Sequence, residues 1–156
     1  MEQTVTHSTF TLERAYSASP ERVFAAFSDP TLKKRWYVDN KPMTVEEFQM
    51  DFRVGGSDLA RFRFGAGSPF PGMPLTYYTS YQDIVPNRRI VYAYSMDLGD
   101  KRVSSSLTTF EFLPDGDGTQ LIFTEQGAFY EGADGPQMRQ AGWNTLLDHL
   151  GRSFAA

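Results

Sequence analysis

The sequence predicts an α+β domain: a curved antiparallel sheet, two short helices after its first strand, and one long C-terminal helix across the concave face. Three observations predict it. Segments of period-two alternation succeed one another from Val45 to Gln126, separated by turn-forming residues and by no helical pattern. Two helix-start signals, Ser19-Pro20-Glu21 and Asp29-Pro30, fall between the first strand and that run. Trp143, Leu147, Leu150 and Phe154 recur at spacings of four, three and four, which is one stripe on a final helix. Strands in succession with segregated helices are the α+β pattern rather than the α/β one. The 156 residues, without repeat or linker, read as one domain over 1–156.

Element by element, Thr9–Tyr16 places Phe10, Leu12, Arg14 and Tyr16 on one parity and Thr11, Glu13 and Ala15 on the other, a strand with two unlike faces. Ser19 is an N-cap with proline at the first helical position, and Val23, Phe24 and Phe27 form the apolar side. Asp29-Pro30 opens a second helix to about Trp36, with Leu32 and Trp36 at i, i+4. Phe48, Met50 and Phe52 then alternate with acids and Gln49, Gly55-Gly56 turns the chain, and Arg61–Phe64 is the partner strand. Gly65–Pro74, with three glycines and three prolines, is a loop. Strands follow at Leu75–Val85, Arg89–Met96, Arg102–Leu113 and Gln120–Gln126, with turns at Pro86-Asn87, Gly99-Asp100 and Pro114–Gly118. A loop over Gly127–Gly135 leads to the last helix, from Pro136 to about Phe154. Gly142 weakens that helix by about 1 kcal/mol relative to Ala, which close approach to another backbone would explain.

Composition excludes several function classes. A net charge of −4 leaves no basic face for nucleic acid, and Lys33-Lys34-Arg35 reads as a short solvated run. With no cysteine, disulfides, thiolate metal sites and a cysteine nucleophile are ruled out. No stretch approaches the ~18 apolar residues of a membrane span, and the first residues lack the basic and apolar regions of a secretory signal, so a cytoplasmic protein is expected. Aromatic residues make up 15% of the chain, an excess suited to strands and pocket walls.

Several stretches carry a family resemblance. They are Ser-Pro-Glu-Arg-Val-Phe-Ala-Ala-Phe-Ser-Asp-Pro from Ser19 with Trp36 closing the helix pair, Asp-Phe-Arg-Val-Gly-Gly from Asp51, Ile-Val-Pro-Asn-Arg-Arg-Ile-Val-Tyr from Ile84, Thr-Phe-Glu-Phe-Leu-Pro-Asp-Gly-Asp-Gly-Thr from Thr109, and Gly142-Trp143 with Leu147 and Leu150. Their order resembles the helix-grip fold of the START / Bet v 1-like superfamily, also called SRPBCC, and its branch related to the C-terminal domain of the activator of heat-shock protein 90 ATPase. The resemblance implies a scaffold shared by hydrophobic-ligand binders, co-chaperone domains, antibiotic-resistance proteins and polyketide cyclases. It supplies no shared catalytic motif, and fold analogy does not choose among these roles.

The expected site is a cavity between sheet and C-terminal helix for a small hydrophobic molecule, aromatic or lipid-like. Its candidate lining is Trp36 from the helix pair, Phe48, Phe52, Phe62 and Phe64 from the first hairpin, Tyr77, Tyr81, Tyr92 and Tyr94 from the next, and Trp143 and Leu147 from the last helix. Buried tyrosine hydroxyls would orient a guest; the alternative is a solid aromatic core. Which strand parity faces inward stays open, because a one-residue slip reverses every side chain. Phe70 and Met73 stand on the Gly65–Pro74 loop, and Phe129 in the connection to the last helix. These three are candidates for a lid over the mouth; a homodimer or chaperone contact, or ordinary packing, are the alternatives for the loop.

No residue is assigned a catalytic role, and no cofactor or metal is expected. His7 sits near a fraying terminus and His149 reads as surface. No nucleophile elbow, phosphate loop or dinucleotide fingerprint is present. Asp115 and Asp117 fit a hairpin better than a calcium loop, because Thr119 and Gln126 fall where ligands belong. Glu111, Glu125, Arg53, Arg61 and Arg63 are the strand-borne candidates for a carboxyl or arginine-paired acid perturbed by the cavity; several should face solvent on the period-two pattern, and cross-strand ion pairing is the preferred alternative.

Overall fold

In the computed structural model, which describes residues 4–39 and 41–155, both helix-start signals are realised as caps. After β1 (Thr6–Tyr16), the Ser19 hydroxyl accepts from the Arg22 amide at 3.3 Å and opens α1 (Pro20–Ser28). Asp29 closes α1 and opens α2 (Pro30–Tyr37), its carboxylate accepting from the amides of Thr31 and Leu32 at 2.9 and 3.4 Å. One residue therefore ends one helix and begins the next, which forces the bend between them.

The chain then crosses to the far edge of the sheet and returns strand by strand. β2 (Thr44–Met50), β3 (Ser57–Arg63), β4 (Pro74–Val85), β5 (Arg89–Leu98), β6 (Lys101–Asp115) and β7 (Gly118–Phe129) precede α3 (Pro136–Ser153). The sheet order is β1-β7-β6-β5-β4-β3-β2, antiparallel throughout, with α3 gripped against it. Asn87 turns β4 into β5 with φ 64, the one non-glycine in the left-handed region among the described residues. Gly116, at φ 59, does the same between β6 and β7.

Three expectations about boundaries need correction. β7 does not stop at Gln126: Gly127–Phe129 stay paired with β1 on one side and β6 on the other. A strand held on both edges has its backbone groups satisfied to the end. For the same reason His7 lies in β1 opposite Ala128 rather than in a frayed end. Phe52, expected in the second strand, lies beyond it, where the chain turns toward β3.

Register settles the parity left open by the sequence. The buried residues are the even-numbered ones of β3, β5 and β6 and the odd-numbered ones of β4 and β7, with Thr76 and Val103 buried as well near strand ends. One row across the concave face runs Ile90–Phe110–Phe123–Leu12, the next Tyr92–Thr108–Glu125, and the next Tyr94–Ser106–Gly127. The rows thus change from rings and aliphatics to tyrosine, small and polar side chains along the sheet. α3 lays Arg139, Trp143, Leu147 and Leu150 against this face. No helix among the described residues is long and apolar enough to cross a membrane.

Candidate functional site

Beneath α3, the space over the tyrosine rows is not filled. A cavity of about 500 Å³ lies between β4, β5, the start of β6, the loop after β3 and the first half of α3, within the usual size of a small-molecule site. Phe64, Leu75, Met96, Leu98 and Leu146 supply apolar wall; Tyr37, Tyr77, Tyr92 and Tyr94 supply rings with hydroxyls. Its mouth is marked by exposed groups, Phe70 at 42% and Met138 at 67% relative exposure. Gly142 also borders it, and a Cβ there would meet nothing within 4 Å. The expected close approach to a second backbone is therefore absent; what the missing side chain leaves is open space.

The sequence-predicted residues divide into two groups. Phe64, Tyr77, Tyr92, Tyr94 and Trp143 stand on the cavity wall, as does Phe70, whose ring lies 5.7 Å from that of Phe64. Trp36, Phe48, Phe52, Phe62, Tyr81 and Leu147 do not border it. The reason is the helix pair, which covers its end of the sheet. Trp36 packs on Phe27 at 5.0 Å and donates to the Ala26 carbonyl at 2.9 Å. Phe52 sits between Phe24 and Tyr81, and Phe48 against Tyr37. Phe62 and Leu147 are wholly enclosed in the core. Met73 also lies off the wall, its carbonyl accepting from the Phe64 amide at 3.0 Å as the loop closes. Phe129, placed by the sequence in a connection, is a buried strand residue under the Arg139 guanidinium at 5.0 Å, and so is not part of a lid.

A polar cluster at the cavity wall joins Glu125, one of the strand-borne candidates, to Arg139, which the sequence does not single out. Arg139 makes a two-pronged bond to Asp134, at 2.8 and 2.9 Å, and donates to Tyr94 and Ser104 at 2.9 Å each. Tyr94 in turn donates to Glu125 at 2.7 Å, and the Trp143 indole donates to the same oxygen at 3.1 Å. Glu125, for which a cross-strand ion pair is the preferred expectation, is completely buried. Burial raises its pKa above the ordinary carboxylate value, against the bonds from Tyr94, Trp143 and Thr108 and the charge of Arg139. Its second oxygen has no hydrogen-bond partner among the described residues and lies 3.8 Å from Arg139. Both residues were legible in principle. Leu121 and Phe123 set the inward parity that includes Glu125, and the α3 stripe extended back one turn from Trp143 reaches Arg139. Of the other strand charges, Arg63 pairs with Glu46 on β2 and Arg53 with Asp51, as surface pairs do, while the Arg61 Nε is buried without a partner among the described residues.

Two lysines lie against the Tyr37 ring in opposite states. Lys33, expected in a solvated run, is 4% exposed, because its place one turn before Trp36 and Tyr37 turns it inward. It is paired with Asp58 at 3.1 Å, and Tyr81 donates to that carboxylate as well. Burial lowers its pKa and Asp58 works against that shift. Lys41, in the connection between α2 and β2, borders the cavity. Its ammonium lies 5.4 Å from the ring centres of Tyr37 and Phe62 and 5.8 Å from that of Tyr77. No carboxylate pairs with it among the described residues, and burial lowers its pKa to about 8.

Known proteins share this fold. Mll3558 from Rhizobium loti is 45% identical, with a TM-score of 0.87 over 97% of this chain and 100% of that one. A putative uncharacterized protein from Rhizobium leguminosarum is 36% identical, with a TM-score of 0.88 over 96% of this chain and 95% of its own. An AHSA1-like protein from Aeromonas hydrophila shares the fold at 20% identity, with a TM-score of 0.67 over 94% of this chain and 91% of its own. No curated protein matches. Residues 17–155 match the family described as Activator of Hsp90 ATPase homolog 1-like protein, and the chain belongs to that family.

Proposed function

We propose that this chain is a cytoplasmic START-like domain over residues 1–156 that holds a small hydrophobic molecule, aromatic or lipid-like, between sheet and C-terminal helix. The observation that carries the reading is the cavity of about 500 Å³, walled by Tyr37, Tyr77, Tyr92, Tyr94 and Trp143 and bordered by Gly142. Burial of the guest supplies affinity, near 25 cal/mol per Å² of apolar surface before the costs of ordering are met. The tyrosine hydroxyls orient it. Phe70 would act as a lid, since its ring rests on Phe64 at the mouth while remaining 42% exposed. No catalytic step is assigned: Arg139 and Glu125 face each other and their own partners, and serve to hold α3 on the sheet.

Thermal unfolding with a panel of flavonoid-, lipid- and polyketide-like compounds tests the reading. A true ligand at 100 times its Kd stabilises by about 2.7 kcal/mol, a rise of roughly 5–10 °C for a chain of this size. Gly142→Trp fills the mouth and is expected to abolish the rise while the variant alone unfolds cooperatively. A panel that shifts nothing, or shifts both proteins equally, overturns the reading.

A second reading is favoured by the family's name: a protein-interaction module that contacts a heat-shock chaperone through the loop over 65–73. Capture of purified Hsp90-type chaperone, lost on Phe70→Ser, would support it; absence of any complex at micromolar concentrations would sink it.

A further inference from the structure

We infer that the guest of this cavity is a carboxylic acid whose carboxylate is received by Lys41, with its apolar body against the rings of β4 and β5. The inference rests on the binding reading above and specifies the chemical class of the ligand.

Two cationic side chains border the cavity, Arg139 and Lys41. Arg139 is already spent: Asp134 takes Nε and Nη2, Tyr94 takes Nη1, and the Glu125 carboxylate lies 3.8 Å away. Asp134, the acid on the wall, is neutralised by that same pair. A cationic guest therefore meets no free acid there. Lys41 differs on every count. Its ammonium has three hydrogens to donate, yet among the described residues it makes no ion pair, and what surrounds it are the rings of Tyr37, Phe62 and Tyr77. Ring faces offset only part of the cost of removing a cation from water. The lowering of its pKa to about 8 is the mark of that uncompensated burial, and it leaves the group mostly protonated at pH 7.

The neighbouring hydroxyls point to the same class. Those of Tyr37, Tyr77 and Tyr92 make no hydrogen bond among the described residues, in contrast with Tyr94. Burial pushes the phenol of Tyr77 up to about 12 and those of Tyr37 and Tyr92 well up, so all three remain donors. An unpaired ammonium on a wall of phenol donors calls for an acceptor-rich anion. A single unmatched positive charge fits a carboxylate monoanion, whereas a phosphate dianion would leave a second charge buried without a partner.

The test measures binding of 2-naphthoate and dodecanoate, each beside its methyl ester, by titration calorimetry at pH 7. The whole chain is used as wild type, Lys41→Met and Lys41→Arg. Wild type is expected to bind at least one acid roughly tenfold or more tighter than its ester. Lys41→Met should lose that preference while keeping affinity for the ester, and Lys41→Arg should keep part of it. Acid and ester binding alike, or a preference that survives Lys41→Met, overturns the carboxylate assignment and leaves the cavity reading standing. Absence of binding by all four compounds overturns both. The retained ester affinity shows that Lys41→Met is folded.

Discussion

The two ends of the space under the sheet are both lined with aromatic rings and behave oppositely. At the helix-pair end, Phe24, Phe27, Trp36, Phe110, Phe112 and Phe123 meet edge-to-face or tilted, with Phe27 touching Trp36, Phe110 and Phe112 at 4.8–5.4 Å. At the other end, Tyr37, Tyr77, Tyr92 and Tyr94 leave about 500 Å³ between themselves and α3. Total ring content does not separate them. Phenylalanine has no polar atom to satisfy, so its rings can close on one another at crystal-like density. Tyrosine carries a hydroxyl that resists enclosure without a partner, and Gly142, one of the α3 residues bordering this space, presents no side chain to fill it.

Substitutions that break this contrast should rank by how completely each group is enclosed. Phe110→Ala, at a fully buried site of the closed end, should cost about 3–5 kcal/mol in denaturant unfolding. Lys33→Met, which leaves Asp58 buried without its cation, should cost about 3–5 kcal/mol by the same measurement. Lys41→Met should go the other way, gaining roughly 1–2 kcal/mol at pH 7, a figure reduced for the partial exposure of Lys41. Between pH about 8 and its ordinary value of 10.5, the unfolded chain keeps a Lys41 proton that the folded chain has released. Wild-type stability therefore gains from this group as pH rises across that window, and the advantage of Lys41→Met should shrink over the same range in thermal unfolding. Gly142→Ala has the smallest effect. Its Cβ would meet no atom within 4 Å, so only the helix propensity of Ala should register, a gain of up to about 1 kcal/mol.

Particular residues show why part of the site was legible and part was not. The alternation of Leu121 and Phe123 and the stripe ending at Trp143 each pointed one step further, to Glu125 and Arg139, but a charged residue in such a pattern is ordinarily solvated. Only the partner's position reveals that it is enclosed. Phe129 was misplaced because Gly127 reads as a break. In the sheet that glycine sits where a Cβ would meet the Phe129 ring at 2.8 Å, so it is a packing residue of a strand paired on both sides. Lys41 has no periodic neighbours at all, and its place in the cavity follows from how the α2–β2 connection folds back over the sheet.

The order of elements, the caps at Ser19 and Asp29, the turn at Asn87 and the apolar stripe of α3 are local properties, set by dihedral preference and by the spacing of apolar side chains within a few residues. Which rings close into a core and which stand around an open space depends instead on strand register and on where the helix pair comes to rest. Pairings such as Tyr92↔Thr108 and Thr108↔Glu125 join residues distant in the chain. Whether an inward-turned lysine is paired, as Lys33 is with Asp58, or unmatched, as Lys41 is among the described residues, is decided by which distant strand residues come to face it.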